Sequence, residues 1–512
     1  MEAINGSVFS GVSTWPLSRW LATTAVLAVS TLAFALANLL LQRPKLPKNA
    51  PILIKGWPIF GSIDFYLRRN DFLKRERKRH GGQPFSFYYG RYPIVSLVGE
   101  AGRTFLYTSR QFDLRAGFST LLAASPSADT NIDNPVENQI TLFKKILTRE
   151  RLIDALPKMA EDTDAAISML SFSDRPVLIF PLMYRLIYRL THRTGGVHEI
   201  AEDEKLLDST LKNFAKIEYC SPLQIMFPNW PLPSLLLKLW AGFSLHQTIV
   251  GAMSERRRTG RSEVDALQYL MDLGEPDLEI VKCIIGILFS GLLNTGATSA
   301  WILCYLAENH EWYCKVQTEV DHFISQHRMT PDESILDILQ RVSYHDWDTQ
   351  LPTLYLCLRE TLRLNLSGPA LRKNLSDEDL IIPGTNSVVP KKAFVFYSMD
   401  EVHLDEGIYP NPLSWDPARH LPGREEGSAN PHAFVGWGSG LHPCIGLKFA
   451  TLEIFVAVVT MFAHHDFSLV EQDGRSRNRP LPQLNRNDLS VSLPTDKIYL
   501  KCISRSNLGE KR

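Results

Sequence analysis

Trp437-Gly438-Ser439-Gly440-Leu441-His442-Pro443-Cys444-Ile445-Gly446 is the stretch whose reading decides the fold. Three glycines in ten residues let a backbone loop lie close under a flat ligand, because glycine tolerates conformations that other residues avoid. A cysteine at the tip of such a loop, just before a helix amino end, is placed to be held as a thiolate by loop and helix amides. That arrangement suits an axial ligand to iron. The competing reading, a buried structural thiol, is the default for Cys220, Cys283, Cys304, Cys314, Cys357 and Cys502.

Three more landmarks lie upstream. Glu360-Thr-Leu-Arg363 puts an acid and a base three apart on one helix face, which by itself usually marks a surface ion pair. Trp415-Asp-Pro-Ala-Arg419 follows, preceded by His403 and Tyr409-Pro-Asn-Pro412, and Gly56-Trp-Pro-Ile-Phe-Gly61 stands near the start.

Together these resemble the cytochromes P-450, haem-thiolate monooxygenases with the loop pattern Phe-Gly-x-Gly-x-(Arg or His)-x-Cys-x-Gly. The chain matches at Gly438, Gly440, His442, Cys444 and Gly446 and has Trp437 where Phe is commoner; Trp still offers a flat apolar wall. The resemblance implies haem as cofactor and Cys444 as axial iron ligand. It further implies a buried structural triad of Glu360, Arg363 and Arg419, and Arg372 and His442 as partners of the haem propionates. Lys144 or Lys145 is an alternative propionate partner or plain surface charge.

The pattern breaks in the middle. The family carries (Ala/Gly)-Gly-x-(acid)-Thr on its central helix, a pair that helps deliver protons to dioxygen. Here the run is Ser290-Gly291-Leu292-Leu293-Asn294-Thr295. Gly291 fits, Leu293 replaces the acid and Asn294 the threonine, and Thr295 is rotated by about 100° from that position. Leu293 relays no proton, whereas Asn294 orients water by hydrogen bonds without ionising. The resemblance therefore leaves two reactions open: oxygen insertion assisted by Gly291, Asn294 and Thr295, or a redox-neutral isomerisation or dehydration that needs neither dioxygen nor reductase.

Trp20 to Leu41 carries no charge. At about 1.5 Å per residue its 22 residues reach roughly 33 Å, enough to cross a hydrocarbon core. Arg43, Lys45 and Lys48 follow, so the positive-inside rule puts residues 1–19 in the lumen and the rest in the cytosol. The competing reading is a cleaved signal peptide ending at Ala35-Leu36-Ala37. Asn5-Gly6-Ser7 is a glycosylation sequon on the lumenal side. Residues 42–55 are a proline-rich basic linker, and 56–512 form the catalytic domain.

Among 512 residues, 55 Lys plus Arg balance 55 Asp plus Glu, which excludes a whole-molecule grip on nucleic acid. Seven scattered cysteines without a Cys-x-x-Cys pair exclude a disulfide framework and a zinc site. Periodicity predicts helices near 136–170, 201–218, 262–273, 277–308, 311–326, 349–364 and 446–464. Strand patches are expected at 85–99 and 368–400. Phe227 to Leu237, broken by three prolines, is either a core-packed loop or a hydrophobic lip at a membrane.

The expected protein is mainly α with two small β-sheet patches, the cytochrome P-450 fold, and one amino-terminal transmembrane helix. Its expected work, in the endoplasmic-reticulum membrane, is oxidation of an apolar small molecule (terpenoid, steroid-like or polyketide). NADPH-cytochrome P-450 reductase would be the electron source, and the sequence style resembles fungal secondary-metabolism members.

Overall fold

A computed structural model describes residues 17–121, 135–172, 175–219, 221–227, 230, 232–487 and 493–505. The Asn5 sequon and Cys220 lie outside the described residues.

The core is threaded by the helix Asp277–Glu308. Pro276 precedes it, and Asp277 and Glu279 sit in its first turn, where the helix dipole favours negative charge. It is largely apolar because most of it is enclosed, above all over its second half. By length and composition this helix and Leu447–His464 are each fit to cross a membrane, yet both are mostly buried inside the protein and serve as its core. Ile284, Leu288, Leu292, Trp301 and Leu303 of the first pack in one cluster with Phe455, Val458 and Phe462 of the second.

The other expected helices form, with breaks where capping chemistry dictates them, whereas Arg69–Arg79, Gly99–Thr108, Leu114–Leu121, Ile179–Thr194 and Pro233–Thr259 are helices that the periodicity did not predict. The 136–170 stretch divides into Pro135–Ile146 and Arg149–Ile167, with extended Thr148 between. Asp203 divides the 201–218 region by accepting from the Lys205 and Leu206 amides, so that one helix runs Glu204–Glu218. Asp265 delays the next start to Ala266 by accepting from the Gln268 amide. Prolines stop one helix at Met226 and open the next at Pro233, as the 227–237 reading requires. The first turns of Pro233–Thr259 are not core-packed: Leu236, Leu237, Leu239, Trp240 and Phe243 are exposed.

The 85–99 hairpin and the two outer strands of the 368–400 patch belong to one sheet, whereas Leu380–Ile381 and Val388–Val389, in the middle of that patch, pair in a sheet of their own. Phe85–Tyr89 and Tyr92–Ser96 form the expected hairpin, turning at Gly90-Arg91. Tyr92–Ser96 then pairs in parallel with Phe394–Ser398, and the full order is Ile52–Leu53, Phe85–Tyr89, Tyr92–Ser96, Phe394–Ser398, Pro369–Asn374, Phe112–Asp113. Three smaller sheets of two or three strands, that one among them, complete a mainly helical fold with small sheets. The amino-terminal helix runs Leu17–Leu41, 25 residues, and Trp20, Leu21, Val26, Leu27 and Val29 on it are exposed.

Candidate active site

The 437–446 loop is a tight hairpin. Gly438-Ser439 pairs antiparallel with His442-Pro443, and Gly438 and Gly440 have φ of +70° and +60°. A Cβ on Gly440 would collide with the Tyr107 carbonyl, which accepts the Leu441 amide at 3.0 Å. Only glycine allows that approach at that φ. The Cys444 amide donates to the Trp437 carbonyl at 2.7 Å, closing the loop on itself, and the helix Leu447–His464 starts directly beyond.

Cys444 keeps accessible surface, but the packed loop around its Sγ desolvates it. That desolvation pushes the thiol above its ordinary value, and the Gly446 amide opposes the rise without overcoming it. A metal cation at the sulfur would favour the thiolate.

Arg372 lies 4% exposed on the strand Pro369–Asn374. Its Nη1 donates to its own neighbour's carbonyl, at Leu371, and its Nε has no partner among the described residues. Burial holds the guanidinium below its ordinary value, and the Asp113 charge opposes that fall without overcoming it. The nearby His442 imidazole is lowered first by burial and then by the positive Arg372. Trp437 likewise has a shielded Nε1 with no partner among the described residues. Orphaned buried donors, a cradle that a Cβ would fill and a single thiol together fit a haem with its propionates. Lys144 and Lys145 are exposed.

Behind the loop, Glu360, Arg363 and Arg419 do come together. Arg363 forks onto both Glu360 oxygens, Nε to Oε2 and Nη2 to Oε1, each at 2.8 Å. Arg419 Nε reaches Oε1 at 3.3 Å, and the Asp416 amide donates to it at 3.0 Å. Burial alone would raise the Glu360 carboxyl, but the Arg363 fork and the His420 imidazole outweigh it and hold it below the usual range.

His403 ties this triad to the loop. Its carbonyl accepts from Arg363 Nη1 at 2.5 Å, and its ring Nε2 accepts from the Val435 amide at 3.1 Å. Burial, then the Arg363 charge, pushes its imidazole down to about 3 from 6.5. A lowered histidine adds stability that is intact above 6.5 and is lost as pH falls from there toward about 3, since the unfolded chain takes up a proton that the folded one refuses. His403→Phe should therefore destabilise by about 1–3 kcal/mol at pH 7.5, by orphaning the Val435 amide. The gap from the parent should close by about 1.4 kcal/mol per pH unit below 6.5. Urea midpoints of the two proteins between pH 7.5 and 5 measure this, and a constant gap refutes it.

On the central helix, Ser290 and Asn294 are exposed on one face, and a Cβ on Gly291 would meet nothing within 4 Å. Thr295 is 4% exposed on the packed side, its carbonyl taking the Ser299 hydroxyl, so it does not join Asn294 on the open face. Sequence reasoning missed Tyr107, which braces the loop and lies 5.9 Å from the Arg372 guanidinium. It also missed Gly117, where a Cβ would stand 2.6 Å from the Arg372 Cα. Neither carries a local signal; each matters through a partner distant in sequence.

The family described as Cytochrome P450 has a sequence model that matches residues 51–502. The cytochrome P450 monooxygenase AacuE of Aspergillus aculeatus is 26% identical over 95% of this chain and 99% of its own length. An obtusifoliol 14-alpha demethylase of Sorghum bicolor is 24% identical over 93% of this chain and 95% of its own. Among solved structures, retinoic acid-bound cyanobacterial CYP120A1 superposes with a TM-score of 0.71 at 21% identity, over 90% of this chain and all of that one, a likeness of fold. A family match of that extent decides the matter, and this chain belongs to the cytochrome P450 monooxygenases, oxidoreductases whose cofactor is haem.

Proposed function

We propose that this protein inserts oxygen into an apolar small molecule of fungal secondary metabolism, of terpenoid, steroid-like or polyketide character. The observation that carries this reading is the pairing of the Cys444 loop with a central helix whose exposed face presents Ser290, Gly291 and Asn294. Cys444 would ligate the haem iron, Arg372 and His442 would neutralise the propionates, and Trp437, Gly438 and Gly446 shape the loop. Haem held there would supply the activation of dioxygen. Asn294 would orient water or dioxygen by its amide and passes no proton of its own. Thr295, turned into the packing, holds the helix at this point. The fungal relatives support the substrate class, and electrons come from an NADPH-cytochrome P-450 reductase.

The helix Leu17–Leu41 anchors the chain in the endoplasmic-reticulum membrane with its catalytic domain in the cytosol, and Asn5, on the lumenal side, is the glycosylation site. The exposed Leu236, Leu237, Trp240 and Phe243 support a second contact with the same bilayer. Leu293 and Asn294, standing where the family has its acid and alcohol, favour one other reading, a redox-neutral rearrangement on the same fold.

Growth of the native host, with and without the gene, under heavy-isotope dioxygen separates the two. A product lost on deletion that carries a heavy oxygen absent from its accumulating precursor establishes oxygen insertion; a pair differing by rearrangement or water alone establishes the second reading. Within the first, Asn294→Ala slows product formation by about tenfold or more with haem content unchanged. An unaffected rate removes Asn294 from the chemistry.

A further inference from the structure

A cavity of about 560 Å³ opens where the amino-terminal helix hands over to the folded domain. Gln42, Arg43 and Pro44 form one wall, Arg91, Tyr92 and Pro93 a second, and Lys373, Lys391, Lys392 and Phe394 the rest. Five cations line it and no carboxylate does, in a chain whose formal net charge is zero. Acids close by are engaged elsewhere or at the rim: Asp377 pairs with Lys392 at 3.1 Å, Asp379 accepts the Lys391 amide at 2.9 Å, and Asp113, opposite Lys373 in the sheet, accepts the Ala116 amide at 2.6 Å. Neither Arg91 nor Lys391 pairs with a carboxylate among the described residues, and both are exposed. Arg43 is held in place, its Nη2 donating to the Trp57 carbonyl at 2.8 Å and its guanidinium lying 5.1 Å from the Tyr88 ring centre. Its Nε is shielded and has no partner among the described residues.

Concentrated positive charge in a concave site is a receptor for a phosphate-bearing anion. Position selects the source. Arg43 follows the last residue of the Leu17–Leu41 helix by two, so a chain anchored by that helix holds this cavity at the level of the lipid headgroups. We propose that the cavity seats the phosphate headgroup of an anionic phospholipid and so fixes how the catalytic domain lies on the bilayer. This rests on the membrane-anchor reading above. The aromatic floor of Tyr92 and Phe394 keeps the cation stems apart and rigid: Lys373 Nζ lies 5.1 Å from the Phe394 ring centre and Arg91 5.6 Å from that of Tyr92.

The test uses the full-length haem-loaded chain in phosphatidylcholine vesicles with a trace of spin-labelled phosphatidic acid or spin-labelled phosphatidylcholine. The measured quantity is the fraction of label that the protein immobilises. The parent should prefer phosphatidic acid, and the double variant Arg91→Gln, Lys391→Gln should lower that preference by about tenfold. Its reduced, CO-bound spectrum should match the parent's, showing that it folds. Arg258→Gln, on a distant exposed helix end, should change nothing.

Equal immobilisation of both labels by the parent, or a preference that survives in the double variant, overturns the proposal. So does displacement of the lipid by millimolar inorganic phosphate, which would make the cavity a site for soluble phosphate. Washing the same vesicles with alkaline carbonate tests the anchor separately. A chain that is stripped off fails the anchor reading, whereas a retained chain without lipid preference fails this proposal alone.

Discussion

Glu360→Gln should destabilise this protein by about 3–5 kcal/mol, because it removes one charge of a buried cluster and leaves the others in place. Glu360 and Arg363 are fully buried and Arg419 is 1% exposed, so water cannot compensate. Arg363 would keep the carbonyls of His403 and Pro412, and Arg419 those of Pro410 and Asn411 with the Glu426 carboxylate, but Arg363 would have no counter-ion. The size of the loss comes from the unpaired guanidinium, since replacing a whole buried pair by apolar groups is far cheaper. The cluster holds the 403–419 segment, and His403 carries its geometry to Val435, so haem per chain should fall along with the urea midpoint. A loss under about 1 kcal/mol, the range of an exposed pair, would mean that the cluster is not a structural unit.

Cys444→Ala should abolish the thiolate-type spectrum of the reduced, CO-bound haem, and the enzyme's activity with it. The loop itself should survive, because the contacts that close it are made by backbone: the Cys444 amide to Trp437, the Leu441 amide to Tyr107 and the Gly438 amide to Val435. What is lost is one sulfur. Haem should still bind weakly through its propionates, as Arg372 and His442 are untouched, so haem per chain and the spectrum have to be read together. An unchanged spectrum would assign the iron ligand to another side chain. A spectrum lost in a protein with the parent's urea midpoint is the expected result.

The reading from sequence went furthest where chemistry is written in consecutive residues. The Cys444 loop is legible because its glycines, cysteine and helix start are neighbours along the chain, and left-handed glycines at Gly438 and Gly440 are a local backbone requirement. Helices were legible because their periodicity is local, and their divisions at Asp203 and Asp265 are capping events written in single residues. The triad was legible only through resemblance. Glu360 and Arg363 three apart on a helix look like any surface pair, and nothing in their spacing says that they are buried.

What the chain's order could not display was decided by contacts between distant segments. Whether the 85–99 hairpin and the outer strands of the 368–400 patch make two sheets or one depends on the pairing of Ile94 with Phe394, which no local pattern encodes, since strand register is set by what the two faces bury. The bracing of the loop by Tyr107, the fit of Gly117 against Arg372 and the gathering of Arg43, Arg91, Lys373, Lys391 and Lys392 around one cavity arise in the same way. Sequence alone determined the residue types at the site and the elements that carry them. Tertiary structure alone decided burial, and burial sets the strength of a charge, the protonation of a thiol or an imidazole, and the need of an arginine for a partner, because each depends on how much water remains.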